Sequence, residues 1–323
     1  MQQVVSIFTF PKSANARNAA GSLDGADVAC GMTTNNTHES ARLKGAAFIL
    51  LSIFFMGVNN AILKWLSGGM SASQILFLRS AVIVIVLLAI AWRKRGSGLL
   101  RINDWRGHAI WGSIQFFNAI VFILGVGYLP LADSIAITFA GPLFLTALAI
   151  PMLGERIGSH RWGAIFVGFI GIMIITRPSS EAFQWVALFP LAAALSGAVR
   201  DIASRKVTAR ESSTSILMTS SLIAMAGTAL TAPFDWVVPT SSDFALGIIT
   251  GLCVLVGQFL MIDAFRYAEA KVLAPMRYSA ILWSVILGYL VWGDLPDSWT
   301  ITGTTIVIAS GLYILHREYR AQR

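Results

Sequence analysis

The sequence predicts an all-α integral membrane protein with ten transmembrane helices, arranged as two inverted five-helix repeats. Three observations carry this prediction. The 323 residues are 56% hydrophobic and only 12% charged, with a mean hydropathy of +0.70; soluble domains carry about 25% charged residues. The apolar residues fall into ten stretches of bilayer-spanning length, where about 20 residues are needed to cross. The fourth stretch of each half ends in Gly plus an acid, Gly154-Glu155 and then Gly293-Asp294, 139 residues apart. Five is odd, so the second copy must sit upside down relative to the first.

Residues 1–41 are rich in Ser, Ala, Asn, Gly and Thr, with one short apolar run from Val4 to Phe10. That run lacks the basic flank and the length of a signal peptide. The segment reads as a disordered cytoplasmic tail, and Met32 is an alternative start. The first repeat covers 42–178, with spans at 45–65, 72–92, 107–127, 131–152 and 161–176. The second covers 179–317, with spans at 182–204, 213–233, 244–265, 272–292 and 299–315. Residues 318–323 form a second cytoplasmic tail. The connections are short and carry turn residues such as Ser67-Gly68-Gly69, Arg177-Pro178-Ser179 and Gly293-Asp294-Leu295-Pro296. The helices are therefore expected to be near neighbours and mostly antiparallel. At the 139-residue offset Tyr128 falls on Tyr267, Leu143 on Leu282 and Ser159 on Ser298.

The charges orient the chain. With the N-terminus inside, nineteen of the 24 Lys and Arg residues lie in cytoplasmic segments. Only Lys64 and Arg177 lie on the other side, and Arg79, Arg200 and Arg277 fall within spans. Cytoplasmic loops hold such an excess, so both termini are expected inside a bacterial inner membrane. The net charge of +8 is thus topological and implies no nucleic-acid partner. Cys30 and Cys253 are too few and too scattered for a disulfide framework or a metal site. Neither a phosphate-binding loop nor a metal-ligand spacing is visible, so no cofactor and no ATP hydrolysis are expected.

Polar groups inside the spans are the candidate site, because a charge at the bilayer centre costs roughly 2.5–3.5 kcal/mol on insertion scales. Arg79 lies well inside span two; it either meets a solute or pairs with an acid or carbonyl of a neighbouring helix. Arg200 and Asp201 lie in the cytoplasmic half of span six. Arg200 is within snorkelling reach of the cytoplasm. Asp201 either takes part in proton coupling and solute binding or pairs with Arg277 or Arg79. Asp263 is a second coupling candidate, with a simple pair to Arg266 as its other reading. Arg277 and Tyr278 follow Pro275 in span nine. Pro142 and Pro275 interrupt spans four and nine and are the expected hinges. Asn60 and Asn118 complete the substrate-binding set, while Asn59, Gln115 and Gln258 add further donors and acceptors; interhelical glue is the commoner role of such amides. Tyr278, Trp283 and Phe117 are expected to line an apolar part of a cavity. Glu155 and Asp294 are expected to cap helix ends or bind loops. Gly247-x-x-x-Gly251 and Ala164-x-x-x-Gly168 predict close helix contacts, which permit a homodimer without demanding one.

Several segments resemble the drug/metabolite transporter superfamily, in its EamA-type ten-helix branch. They are Tyr128-Leu129-Pro130-Leu131-Ala132, Pro142-Leu143-Phe144, Gly154-Glu155, Arg161-Trp162-Gly163, Gly168-Phe169-Ile170-Gly171, Ala274-Pro275-Met276-Arg277-Tyr278 and Gly293-Asp294-Leu295-Pro296-Asp297. The Ala-Pro-x-Arg-Tyr segment, the Leu-Pro-Asp turn and Arg200-Asp201-Ile202 are similar to S-adenosylmethionine uptake carriers. Asp294 departs from the Glu expected there. The resemblance implies a basket of helices with a central cavity, and a secondary carrier of a small metabolite such as S-adenosylmethionine, an amino acid or an amine. Its partners would be that solute and the lipid bilayer. The alternative is a membrane-embedded transferase acting on a lipid-type substrate, which would need a clustered His/Asp pair or an acidic metal set.

Overall fold

The computed structural model describes residues 27–93, 102, 104–153, 159–177, 185–207, 211–268, 273 and 275–321. Among the described residues there are helices and no strand, as lipid demands, because a helix satisfies its own backbone polar groups. The chain runs through α1 (Asp27–Leu66), α2 (Ala72–Arg93), α3 (Trp105–Tyr128), α4 (Leu131–Thr138), α5 (Gly141–Leu153) and α6 (Ser159–Thr176). It continues through α7 (Leu188–Val207), α8 (Ser213–Ala229), the single turn α9 (Ala232–Asp235), α10 (Ser241–Tyr267), α11 (Ser279–Trp292) and α12 (Ser298–Ala321). Seven helical stretches among the described residues are long and apolar enough to cross a membrane, and Trp162–Thr176 and Thr214–Ala229 are shorter apolar helices. The protein is an integral membrane protein.

The helix ends follow from local chemistry. Asp104 accepts from the Gly107 N–H at the start of α3, and Ser212 accepts from Ser215 before α8. Thr240 and Asp243 form a reciprocal capping box on α10. Gly293 closes α11 in the left-handed region, φ 73°, which a Cβ would strain. Its partner in the repeat, Gly154-Glu155, lies outside the described residues. At its start, α1 continues back to Asp27, into the segment expected to be a disordered tail. Extending a helix already formed on the apolar stretch costs far less than nucleating a new one.

Several expected spans are not continuous helices: span seven breaks between α8 and α9, span six enters through a 3-10 turn at Trp185–Ala187, and spans four and nine are interrupted beside their prolines. Span four breaks at Phe139-Ala140, between α4 and α5. Pro142 then sits at the second position of α5, where its missing N–H has no intrahelical partner to lose. Span nine enters through a 3-10 turn, Pro275–Tyr278, before α11.

The helices pair through small residues. α1 lies along α10, where the Ser52 hydroxyl donates to the Gly257 carbonyl at 2.7 Å. α3 lies along α7, with Gly125 so close that a Cβ would meet Pro190 at 2.8 Å. α6 lies along α12, with Gly171 against the Gly303 carbonyl. α2 packs between α8 and α10, where Gly247 and Gly251 face Leu78 and Val82. Gly168 of the other small-residue motif receives Leu143 and Ser310.

Candidate functional site

The site is built under an apolar plug. Leu63 and Leu66 of α1, Ile75 and Leu76 of α2, and Ala119 and Ile123 of α3 form one buried cluster. A second cluster beside it joins Ala61, Val126, Leu131 and Ile135, with Leu287 and Trp292 of α11 against it. Both lie toward the end of the bundle where α1 turns into α2. One helical turn is ~5.4 Å. Asn59 lies one turn below Leu63, Arg79 one turn below Ile75, and Gln115 one turn below Ala119. α1 and α3 run toward the plug and α2 runs away from it, so all three lie on the same side of it.

This belt is polar and largely hydrogen-bonded. Asn118 donates from Nδ2 to the Ala193 carbonyl at 2.7 Å and to Ser196 Oγ at 3.0 Å. A turn further from the plug, Arg200 donates to Gln115 Oε1 at 3.1 Å. These contacts tie α3 to α7. Arg200 also donates to Asp201 Oδ1 at 2.7 Å. Asp201 therefore pairs with its own neighbour and not with Arg277 or Arg79, because the long guanidinium arm folds back across one residue. Asn59 donates to Asn60 Oδ1 at 3.1 Å. Two atoms of the belt stay unsatisfied among the described residues: Asn59 Oδ1 and Arg79 Nε are buried without a hydrogen-bond partner.

The remaining expected residues lie elsewhere. Asp263 pairs with Arg266 at 3.1 Å as an exposed i,i+3 pair, away from the belt. Arg277 is exposed within the 3-10 turn. Tyr278 stacks on Phe139, with ring centroids 5.1 Å apart. Phe117 is 54% exposed; Trp283 packs edge-on against Phe54 inside the bundle. Residues Glu155 and Pro178 fall outside the described residues.

Two polar clusters at the bundle ends were not read as working groups from the sequence. Beyond the plug, Lys64 Nζ donates to the Leu129 carbonyl at 2.8 Å and pairs with Asp294 at 3.5 Å. It also lies over the Trp292 ring, and Asp133 in the first turn of α4 is within its electrostatic range. Arg177 pairs with Asp297, whose other oxygen accepts from the Thr300 N–H at the start of α12. At the opposite end His108 Nε2 lies 3.4 Å from Glu211 Oε2, both buried. The signal for these pairs was a charge at each span end, but partners so far apart in sequence cannot be matched by spacing.

The EamA-like transporter family model matches the chain twice, over residues 43–177 and 184–315. The chain belongs to the EamA-like transporter family. It is a transporter rather than an enzyme. The S-adenosylmethionine uptake transporter of Rickettsia bellii is 30% identical over 277 residues, covering 86% of this chain and 95% of that protein. A riboflavin transporter of Rhizobium johnstonii is 27% identical, over 90% of this chain and 97% of its own. The pseudopaline exporter of Pseudomonas aeruginosa is 27% identical, over 82% and 94%. A solved crystal structure matches at a TM-score of 0.59 and 18% identity, over 88% of this chain and 99% of its own. That likeness shows a shared fold.

Proposed function

We propose that the chain is a secondary carrier that moves a small metabolite by alternating access. Its two inverted halves, 42–178 and 179–317, would make ten crossings of a bacterial inner membrane with both termini in the cytoplasm. The carrying observation is that the proline-interrupted helix of each half meets the other through Phe139 and Tyr278. Interrupted helices in corresponding halves mark the binding region of inverted-repeat carriers. The helix pairing supports the same symmetry. Exchanging the halves turns α1 on α10 into α7 on α3, and returns α2 on α8 and α6 on α12 to themselves.

The solute site in this reading is the belt of Asn60, Arg79, Asn118, Arg200 and Asp201, reached from the His108 end while the plug closes the other. Pro142 and Pro275 flank the two breaks and serve as hinges between states. Differential binding of solute to the two states biases their equilibrium. The relatives transport S-adenosylmethionine, riboflavin or pseudopaline, and the S-adenosylmethionine class is the one proposed here, on the 30% identity of the Rickettsia protein. Purified protein in proteoliposomes is expected to exchange labelled S-adenosylmethionine in counterflow. Folded protein that exchanges neither this solute nor riboflavin would overturn the reading.

A further inference from the structure

We propose that Arg79 and Asn59 bind the two charged ends of a zwitterionic, amino-acid-type solute: its carboxylate on the guanidinium, its ammonium on the amide oxygen. This rests on the carrier reading above and adds the chemistry of its site. The two groups are the buried belt atoms that lack partners, Arg79 Nε and Asn59 Oδ1. One can only donate and the other only accept. A solute offering one acceptor and one donor satisfies both at once.

Among the described residues no carboxylate is paired with Arg79, and Asp133, whose Oδ1 is also buried without a partner, lies on α4 at the level of the plug. The membrane-spanning parts of α1, α2, α3 and α8 contain no Asp or Glu. The acids on the other elements facing α2 are engaged. Asp235 accepts from Ser73, the Asp243 carboxylate accepts from Thr240 at the start of α10, and Asp263 holds Arg266; on α7, Asp201 holds Arg200. Further along the bundle Asp294 holds Lys64 and Asp297 holds Arg177. Arg79 is thus the interior cation left without a counter-ion among the described residues. A buried unpaired charge is costly, so an arriving carboxylate gains a charge-assisted, fork-shaped contact that water provides less well. Asn59 is itself oriented by its bond to Asn60, which fixes where its oxygen points.

The test uses the full chain in proteoliposomes, with counterflow of S-adenosylmethionine, its decarboxylated form, 5′-methylthioadenosine, L-methionine and riboflavin. The wild type should prefer the carboxylate-bearing probe over its decarboxylated form by about tenfold or more. In Arg79→Gln that preference should fall to within about twofold, and Asn59→Ala should lower exchange of the ammonium-bearing probes. Without solute, Arg79→Gln should melt at or above the wild-type temperature, and its solute-induced melting shift should vanish. A variant that melts lower yet keeps the preference makes Arg79 structural and overturns the proposal. Exchange of riboflavin alone also overturns it while leaving the carrier reading intact. No exchange of any probe by folded protein overturns both.

Discussion

Phe139 and Tyr278 stack with their rings 5.1 Å apart and 24° from parallel, and they stand 139 residues apart in the chain. That is the offset that relates Gly154-Glu155 to Gly293-Asp294. Each ring sits at the break of its helix, Phe139 ending α4 and Tyr278 preceding α11. The Tyr278 hydroxyl also fills the space a Cβ would take at Gly311 of α12.

The stack should couple the two breaks energetically. Aromatic pairs contribute about 0.5–1.5 kcal/mol beyond their area. A double-mutant cycle of Phe139→Ala and Tyr278→Ala, read by unfolding in detergent, should return a coupling in that range. Tyr278→Phe should keep most of it. Additive losses would mean that the rings only fill space.

The His108–Glu211 contact predicts an asymmetric stability loss. Glu211 Oε1 also accepts from the Asp104 N–H at 2.8 Å, so one buried carboxylate joins the starts of α3 and α8. Glu211→Ala removes the acceptor of the Asp104 N–H and the carboxylate beside His108, and should cost about 1–3 kcal/mol, as leaving a buried donor unsatisfied does. Glu211→Gln keeps an acceptor for Asp104 and should lose clearly less. Equal melting temperatures for the two variants would contradict this.

The helices were legible because the bilayer allows few solutions: apolar length predicted the seven helical stretches that are long enough to cross a membrane. The site was half legible. Arg79, Asn118 and Arg200 announce themselves as polar residues in apolar runs. Their partners do not, since Gln115 meets Arg200 across 85 residues of sequence and only packing decides that. The pairing of Asp201 was misread because adjacent residues on a helix point apart, yet an arginine is long enough to return. Pro142 and Pro275 do not match at the repeat offset, which hid the match of the breaks themselves: a proline marks the neighbourhood of a break, not its residue.

The α6–α12 seam predicts a strict size limit. A Cβ on Gly303 would lie 2.5 Å from the Gly171 carbonyl, and one on Gly171 would lie 2.8 Å from the Gly303 carbonyl. Backbone cannot yield as a side chain can. Gly303→Ala should therefore destabilise by about 1–3 kcal/mol, the usual cost of overpacking, whereas Gly163→Ala, with nothing within 4 Å, should not. Melting temperatures of the two variants compare them directly.

In the alternating-access reading, opening at the Lys64 end parts α1 from α11, and Lys64–Asp294 joins them there. The side chains are 12% and 40% exposed, so the two deletions are not equivalent. Asp294→Asn leaves a mostly buried ammonium with the Leu129 carbonyl, the Trp292 ring and the more distant Asp133. Lys64→Met leaves a carboxylate that water can reach. Asp294→Asn should therefore destabilise more, and Lys64→Met/Asp294→Asn should recover part of the difference. The half-exposed pair is worth at most about 1 kcal/mol, which corresponds to roughly a fivefold shift between states. Ala61→Cys, buried in the plug, reports the opening in a background where Cys30 and Cys253 are replaced by Ala. Adding Lys64→Met should speed its labelling by a membrane-impermeant thiol reagent about fivefold, and saturating solute should change that rate. Unchanged labelling would show that the plug, and not the ion pair, holds this end shut.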